Sequence, residues 1–145
     1  MATQKNSGFT ILELIIVIIT LAIVALVTSI RYPGTSVNLD TQVAQLANDI
    51  RYTQNLSMAK NQHYRLIITP PSSYVVQDAS GNTDTSITLA TGMTFSTSFT
   101  IIFNSKGVPY STDSTPLAST ATITLTYNEN TGSITITPVT GRVTP

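Results

Sequence analysis

Apolar residues fill the chain from Ile11 to about Val27, after a short polar start. A stretch of this length predicts a helix from Phe9 to about Ile30, long enough to span a bilayer. One carboxylate, Glu13, lies near its beginning. A lone acid in a membrane helix costs about 2.5–3.5 kcal/mol on insertion scales, so it marks a functional residue. Arg31-Tyr32-Pro33-Gly34 then interrupts the run, and proline and glycine together predict a kink there. A second helix follows. Asn38 is placed to cap it, with Asp40 near the positive end of its dipole. Leu39, Val43, Leu46, Ala47 and Ile50 recur at helical spacing, and Gln54 and Met58 extend that stripe to a stop near Lys60-Asn61.

After Asn61 the period changes from helical to alternating. Tyr64–Thr69 reads as a strand ended by Pro70-Pro71, and Ser73–Gln77 as a second before a turn at Asp78–Asn82. Ile87 with Leu89, Met93 with Phe95, and Phe99 with Ile101 and Phe103 mark short further strands. Ala121, Ile123, Leu125 and Tyr127 alternate with threonines, as do Ile134 and Ile136 with Ser133, Thr135 and Thr137. The segment Asn128–Gly132 between them predicts a hairpin with one apolar face and one threonine-rich solvent face. The expected class is α+β: a long N-terminal transmembrane helix continuing into an amphipathic helix packed on antiparallel sheets. Too short to be stable alone in water, the second helix needs the sheets to cover its stripe.

The 145 residues leave room for one ordinary domain beyond the apolar span. The chain has no cysteine, which excludes disulfides and thiolate metal sites. Formal net charge is zero, unlike the basic excess of a domain built to hold nucleic acid. Lys5 before the span predicts a cytoplasmic N-terminus, with the remainder on the far side of the membrane. Arg51, Lys60, His63 and Arg65 could form a basic patch, but such residues more often make a solvated face. Asp78, Asn82 and Asp84 supply oxygens around Gly81 without the spacing of an EF-hand loop, and read as a turn. With one histidine, no thiol and no nucleophile or phosphate-loop motif, no catalytic constellation stands out. The chain reads as a non-enzyme, without cofactor or metal.

Gly8-Phe9-Thr10-Ile11-Leu12-Glu13, followed by the long apolar run, resembles the leader signal of type IV prepilins and type II secretion pseudopilins. That resemblance implies cleavage between Gly8 and Phe9 by a prepilin peptidase, with methylation of the new terminal Phe9. It implies an assembly role for Glu13, paired with the terminal amine of a neighbouring subunit. Leu46–Asn61, Ile102–Pro109 and Ile134–Val143 look like the helix and strand signatures of the GspH/FimT family of minor pilins and pseudopilins. The implied organisation is a cleaved leader at 1–8, a transmembrane and filament-core helix at 9–30, and a head at 31–145. The head would hold a helix at 38–61 and β-sheets across 64–144. The implied protein is a minor pilin or pseudopilin, a structural subunit that aids assembly initiation near the tip of a type II secretion pseudopilus or type IV pilus. It would be held in the inner membrane with its head in the periplasm until assembly. Its partners would be the peptidase, other pilin or pseudopilin subunits and the inner membrane. Some members of the family bind DNA through a C-terminal Gly-Arg-x-Arg element; here Arg142 matches the first arginine and Thr144 stands at the second. A DNA-uptake pilin, a major structural pilin and a singly anchored surface domain are the alternatives.

Overall fold

The computed structural model describes the backbone of residues 11–28 and 34–145 and the side chains of 11–23 and 39–145. The chain divides into two compact units, Met1–Gly34 and Thr35–Pro145. Gly8, Phe9 and the expected kink at Pro33 lie outside the described residues.

In the first unit, helix α1 spans Ile11–Thr28 and carries Glu13 in its first turn, where the helix dipole favours a negative charge. The expected transmembrane helix is corrected here. No helix among the described residues is long and apolar enough to cross a membrane. Over its described residues, Ile11–Thr28, α1 rises about 27 Å at 1.5 Å each, against a hydrocarbon core of about 30 Å. Within α1, Glu13 leaves the stretch from Leu14 to Thr28 free of charge, about 22 Å. The single-pass placement in the inner membrane falls with it.

The second unit opens with helix α2, Gly34–Lys60. It begins earlier than its expected cap, so Asn38 lies inside the helix. Its end follows the expected stop. Asn61 takes a left-handed φ of 53°, and Asn61 N–H and Gln62 N–H donate to the carbonyls of Met58 and Ser57. This pair of bonds is the Schellman closure, which satisfies carbonyls that the last turn would otherwise leave open. The buried stripe runs Leu39, Val43, Leu46, Ala47, Ile50 and then Thr53 and Ser57. The spacing read from the sequence extends the stripe to Gln54 and Met58 instead. At 100° per residue Ser57 returns to within about 20° of Ile50, while Met58 is rotated away by about 80°. Thr53 and Ser57 are tolerated in the core because each hydroxyl donates to a carbonyl of its own helix, Asp49 O and Gln54 O.

Ten strands follow: β1 Tyr64–Thr69, β2 Ser73–Asp78, β3 Thr83–Thr88, β4 Met93–Phe95, β5 Phe99–Phe103, β6 Pro109–Thr112, β7 Thr115–Pro116, β8 Ala121–Tyr127, β9 Asn130–Ile136 and β10 Val143–Thr144. They form a six-stranded sheet, β3-β2-β1-β5-β6-β7, and a four-stranded sheet, β10-β9-β8-β4. Every recorded pairing is antiparallel. Strand β9 starts earlier than its alternation suggests. Tyr127 pairs with Asn130, so a two-residue turn suffices, and Asn128 supplies its positive φ of 49°. The inward residues of both sheets and the stripe of α2 form one core, with Tyr74, Phe103, Leu66, Leu125, Ile134 and Ile136 among its fully buried members.

Helix α2 runs alongside β9 in the same sense. Near its start, Leu39 and Val43 press on Gly132; at Gln54 it meets Gly141. A methyl group added at Gly132 would stand 2.5 Å from Val43 Cγ2, so the absence of a side chain there sets how closely helix and sheet approach.

Candidate functional site

Two surfaces carry the residues singled out by the sequence. The first is α1. Its apolar side chains are exposed on every face, from Ile11 at 81% through Leu14, Ile16 and Ile18 to Ile23. Successive residues turn by 100°, so Ile15, Ile16, Val17 and Ile18 alone sample most of the circumference. A helix that is apolar all round is stable only when it is enclosed. Glu13 is exposed beside this surface in the first turn. The surface that α1 presents is apolar, with one carboxylate at its N-terminal end.

The second surface is the end of the head where Gln54 sits. Its amide Nε2 donates to Gly107 O at 2.8 Å and to Thr140 O at 3.1 Å. One side chain on α2 therefore ties the β5–β6 turn to the β9–β10 loop. Both glycines at the junction are compressed. Gly107 has φ 76° and faces Met58 Sδ; Gly141 has φ 64° and faces Gln54 Nε2 and Gly107 O. The two strand signatures noted in the sequence thus meet in space. In the turn, Asn104 Oδ1 accepts from Lys106 N–H and Val108 N–H. In the loop, Thr137 N–H donates to Arg142 O and Gly141 N–H to Thr137 O.

Arg142 is exposed on that loop, and Lys106 is exposed on the turn beside it. Of the four residues weighed as a basic patch and read as a solvated face, three have separate partners. Arg51 donates to Asn48 Oδ1 and Val143 O, Arg65 to Ala79 O with Asp113 at 3.6 Å, and His63 stacks at a tilt on Tyr110. Lys60 is exposed at the helix end. Asp78 and Asp84 also part company. The Asp78 carboxylate accepts from the Asn82 side chain and from the N–H groups of Ser80 and Asn82. These bonds, the Asn82 amide foremost, hold its pKa below the usual carboxylate value. Asp84 accepts from Tyr52 OH at 3.0 Å, which raises the Tyr52 phenol. No group of three acidic, His or Cys side chains among the described residues is placed to hold a metal ion.

Sequence reasoning missed Gln54 as a clamp and Val139 altogether. Gln54 reads as a member of the stripe, and nothing in its spacing signals two remote carbonyls. Val139 is 74% exposed and holds a φ of 67°. A β-branched residue in that region is a genuine outlier, so its type argued against the conformation it adopts. The only available signal was the cluster Pro138-Val139-Thr140-Gly141, which marks a tight loop without showing which residue is forced.

No family model, curated protein or solved structure matches the chain.

Proposed function

We propose that the chain is a structural subunit of a pilus-like filament, of the minor pilin or pseudopilin kind, and that it aids assembly initiation. The observation that carries this reading is α1: a helix apolar on every face, with a single acid in its first turn. Packed against like helices in a filament core, it would bury a surface that is costly in water, at about 25 cal/mol per Å². Glu13 would then meet the terminal amine of a neighbouring chain, offsetting the desolvation of both charges and setting the axial stagger. The Gly8-Phe9 junction supports the same reading, because cleavage there creates that amine five residues from the carboxylate, counting Phe9 as the first.

Two measurements test this. Intact-mass analysis of the mature chain is expected to show loss of Met1 to Gly8 and one added methyl group; a chain that retains Met1 overturns the processing step. Glu13→Ala and Glu13→Val are expected to be cleaved normally but to be depleted from sheared filaments. Incorporation equal to wild type would remove the assembly role.

Arg142 with Lys106 at one end of the head favours DNA binding as the second reading. Two phosphate contacts would give a shallow salt dependence, a log–log slope of about −2 on duplex DNA. Arg142→Ala is expected to weaken such binding at low salt; unchanged binding would exclude that residue.

A further inference from the structure

The head has two opposite ends, defined by its own hydrogen bonds. At the first, Tyr64 pairs with Asp78 and Phe103, Phe103 with Pro109, and Gln54 joins the adjoining turn to the β9–β10 loop. At the second, β1 has run its six residues to Thr69, roughly 20 Å away. There Leu89 N–H donates to Ser72 O and Phe95 N–H to Pro71 O, joining the two sheets again.

The first end carries a projection. Val139 stands out from a loop held by the bonds Thr137 N–H to Arg142 O, Gly141 N–H to Thr137 O and Gln54 Nε2 to Thr140 O. Such strain persists only where the surroundings over-determine it, and it collects at functional contacts. Arg142 is exposed three residues on, and Lys106 is exposed on the turn that Gln54 ties to this loop. Asp78 shares this end, but its carboxylate is taken up by its own turn. The second end carries a recess. Pro71, Leu89, Ala90, Gly92, Met93 and Thr94 line a mainly apolar groove of about 330 Å³. Tyr127 closes against Gly92, and Glu129 follows two residues later, exposed.

We propose that copies of this chain stack head to tail, with Val139 of one seated in the Pro71–Leu89–Met93 groove of the next, and Arg142 and Lys106 facing Glu129. This deepens the filament reading and rests on it for its biological setting. The projection and recess lie at opposite ends of one molecule, so the contact is heterologous, joining unlike surfaces instead of pairing two copies about a two-fold axis. The complementary charges fix its polarity and make it sensitive to salt.

The natural chain has no cysteine, which permits a clean disulfide test on the full-length protein in mild detergent. A Val139→Cys chain mixed with an Ala90→Cys chain is expected to give a mixed disulfide dimer several-fold faster than either gives its own dimer. It should also outpace a control pair of Val139→Cys with Ser133→Cys on β9. Glu129→Lys in the Ala90→Cys chain should slow the reaction, and Arg142→Glu in the partner should restore it. Equal rates for all pairs, or preferential Val139→Cys self-dimers, overturn the proposal. Val139→Gly supplies a second readout: it removes the projection and also the strain, so association should fall while thermal stability rises. Loss of both together would show a merely structural role. The outcome is separable from the filament reading, which stands or falls on leader cleavage and the behaviour of Glu13 variants.

Discussion

Val139 and Gln54 show how much a single side chain determines in this head. The left-handed region costs a residue with a Cβ about 1–2 kcal/mol, a cost glycine does not carry, while glycine's added unfolded freedom takes back about 0.5–1 kcal/mol. Val139→Gly is therefore expected to stabilise the protein by about 1 kcal/mol, read from urea unfolding midpoints at constant slope. A loss of stability would mean that the loop accommodates valine without strain. Gln54→Ala has the opposite sign. It leaves Gly107 O, in a buried residue, without the donor that Nε2 supplies at 2.8 Å. The expected cost is about 1–3 kcal/mol, with faster proteolysis in the two loops it joins. Gly132→Ala belongs to the same scale: its methyl meets Val43 Cγ2, and overpacking of this kind costs about 1–3 kcal/mol.

At the scale of elements, the junction between α2 and the six-stranded sheet has a polar centre. Tyr74, on β2, is 1% exposed and donates to Asp49 Oδ2 on α2 at 2.6 Å. Burial first, and then this bond to a carboxylate, pushes the phenol far above its ordinary value. Unfolded tyrosine ionises near about pH 10, while the folded state retains the proton. The contribution is therefore complete below that pH and declines as pH rises above it. Thermal unfolding followed from pH 8 to pH 11 should show an alkaline loss that Tyr74→Phe flattens. An unchanged alkaline limb in the variant would assign the loss to other groups. The same element scale shows what sequence pattern could reveal. Strand β1 falls on Tyr64–Thr69, where alternation and the two prolines placed it, because both signals are local. Strands β6, β7 and β10 carry too few residues to establish a period, and pairing with longer neighbours makes them strands. The start of α2 was missed for a related reason: Asn38 is a good cap in isolation, but a cap is only a local preference.

For the whole molecule, the division at Gly34 separates two different burial problems. The head encloses its own core between α2 and two sheets. Helix α1 leaves its apolar surface open within its unit. The apolar pattern of α1 was plain in the sequence, whereas its reach was not. Its described residues rise about 27 Å, with Glu13 in the first turn. The site at Gln54 was legible only as two isolated sequence signatures. Their meeting depends on how residues more than eighty positions apart are brought together, which periodicity does not encode.

The strands of the head run from one end to the other, and their ladder bonds lie across that direction. A pull applied between the two ends would therefore load those bonds in shear, all at once, instead of peeling them singly. Such a head resists tension along its strands far better than tension across them.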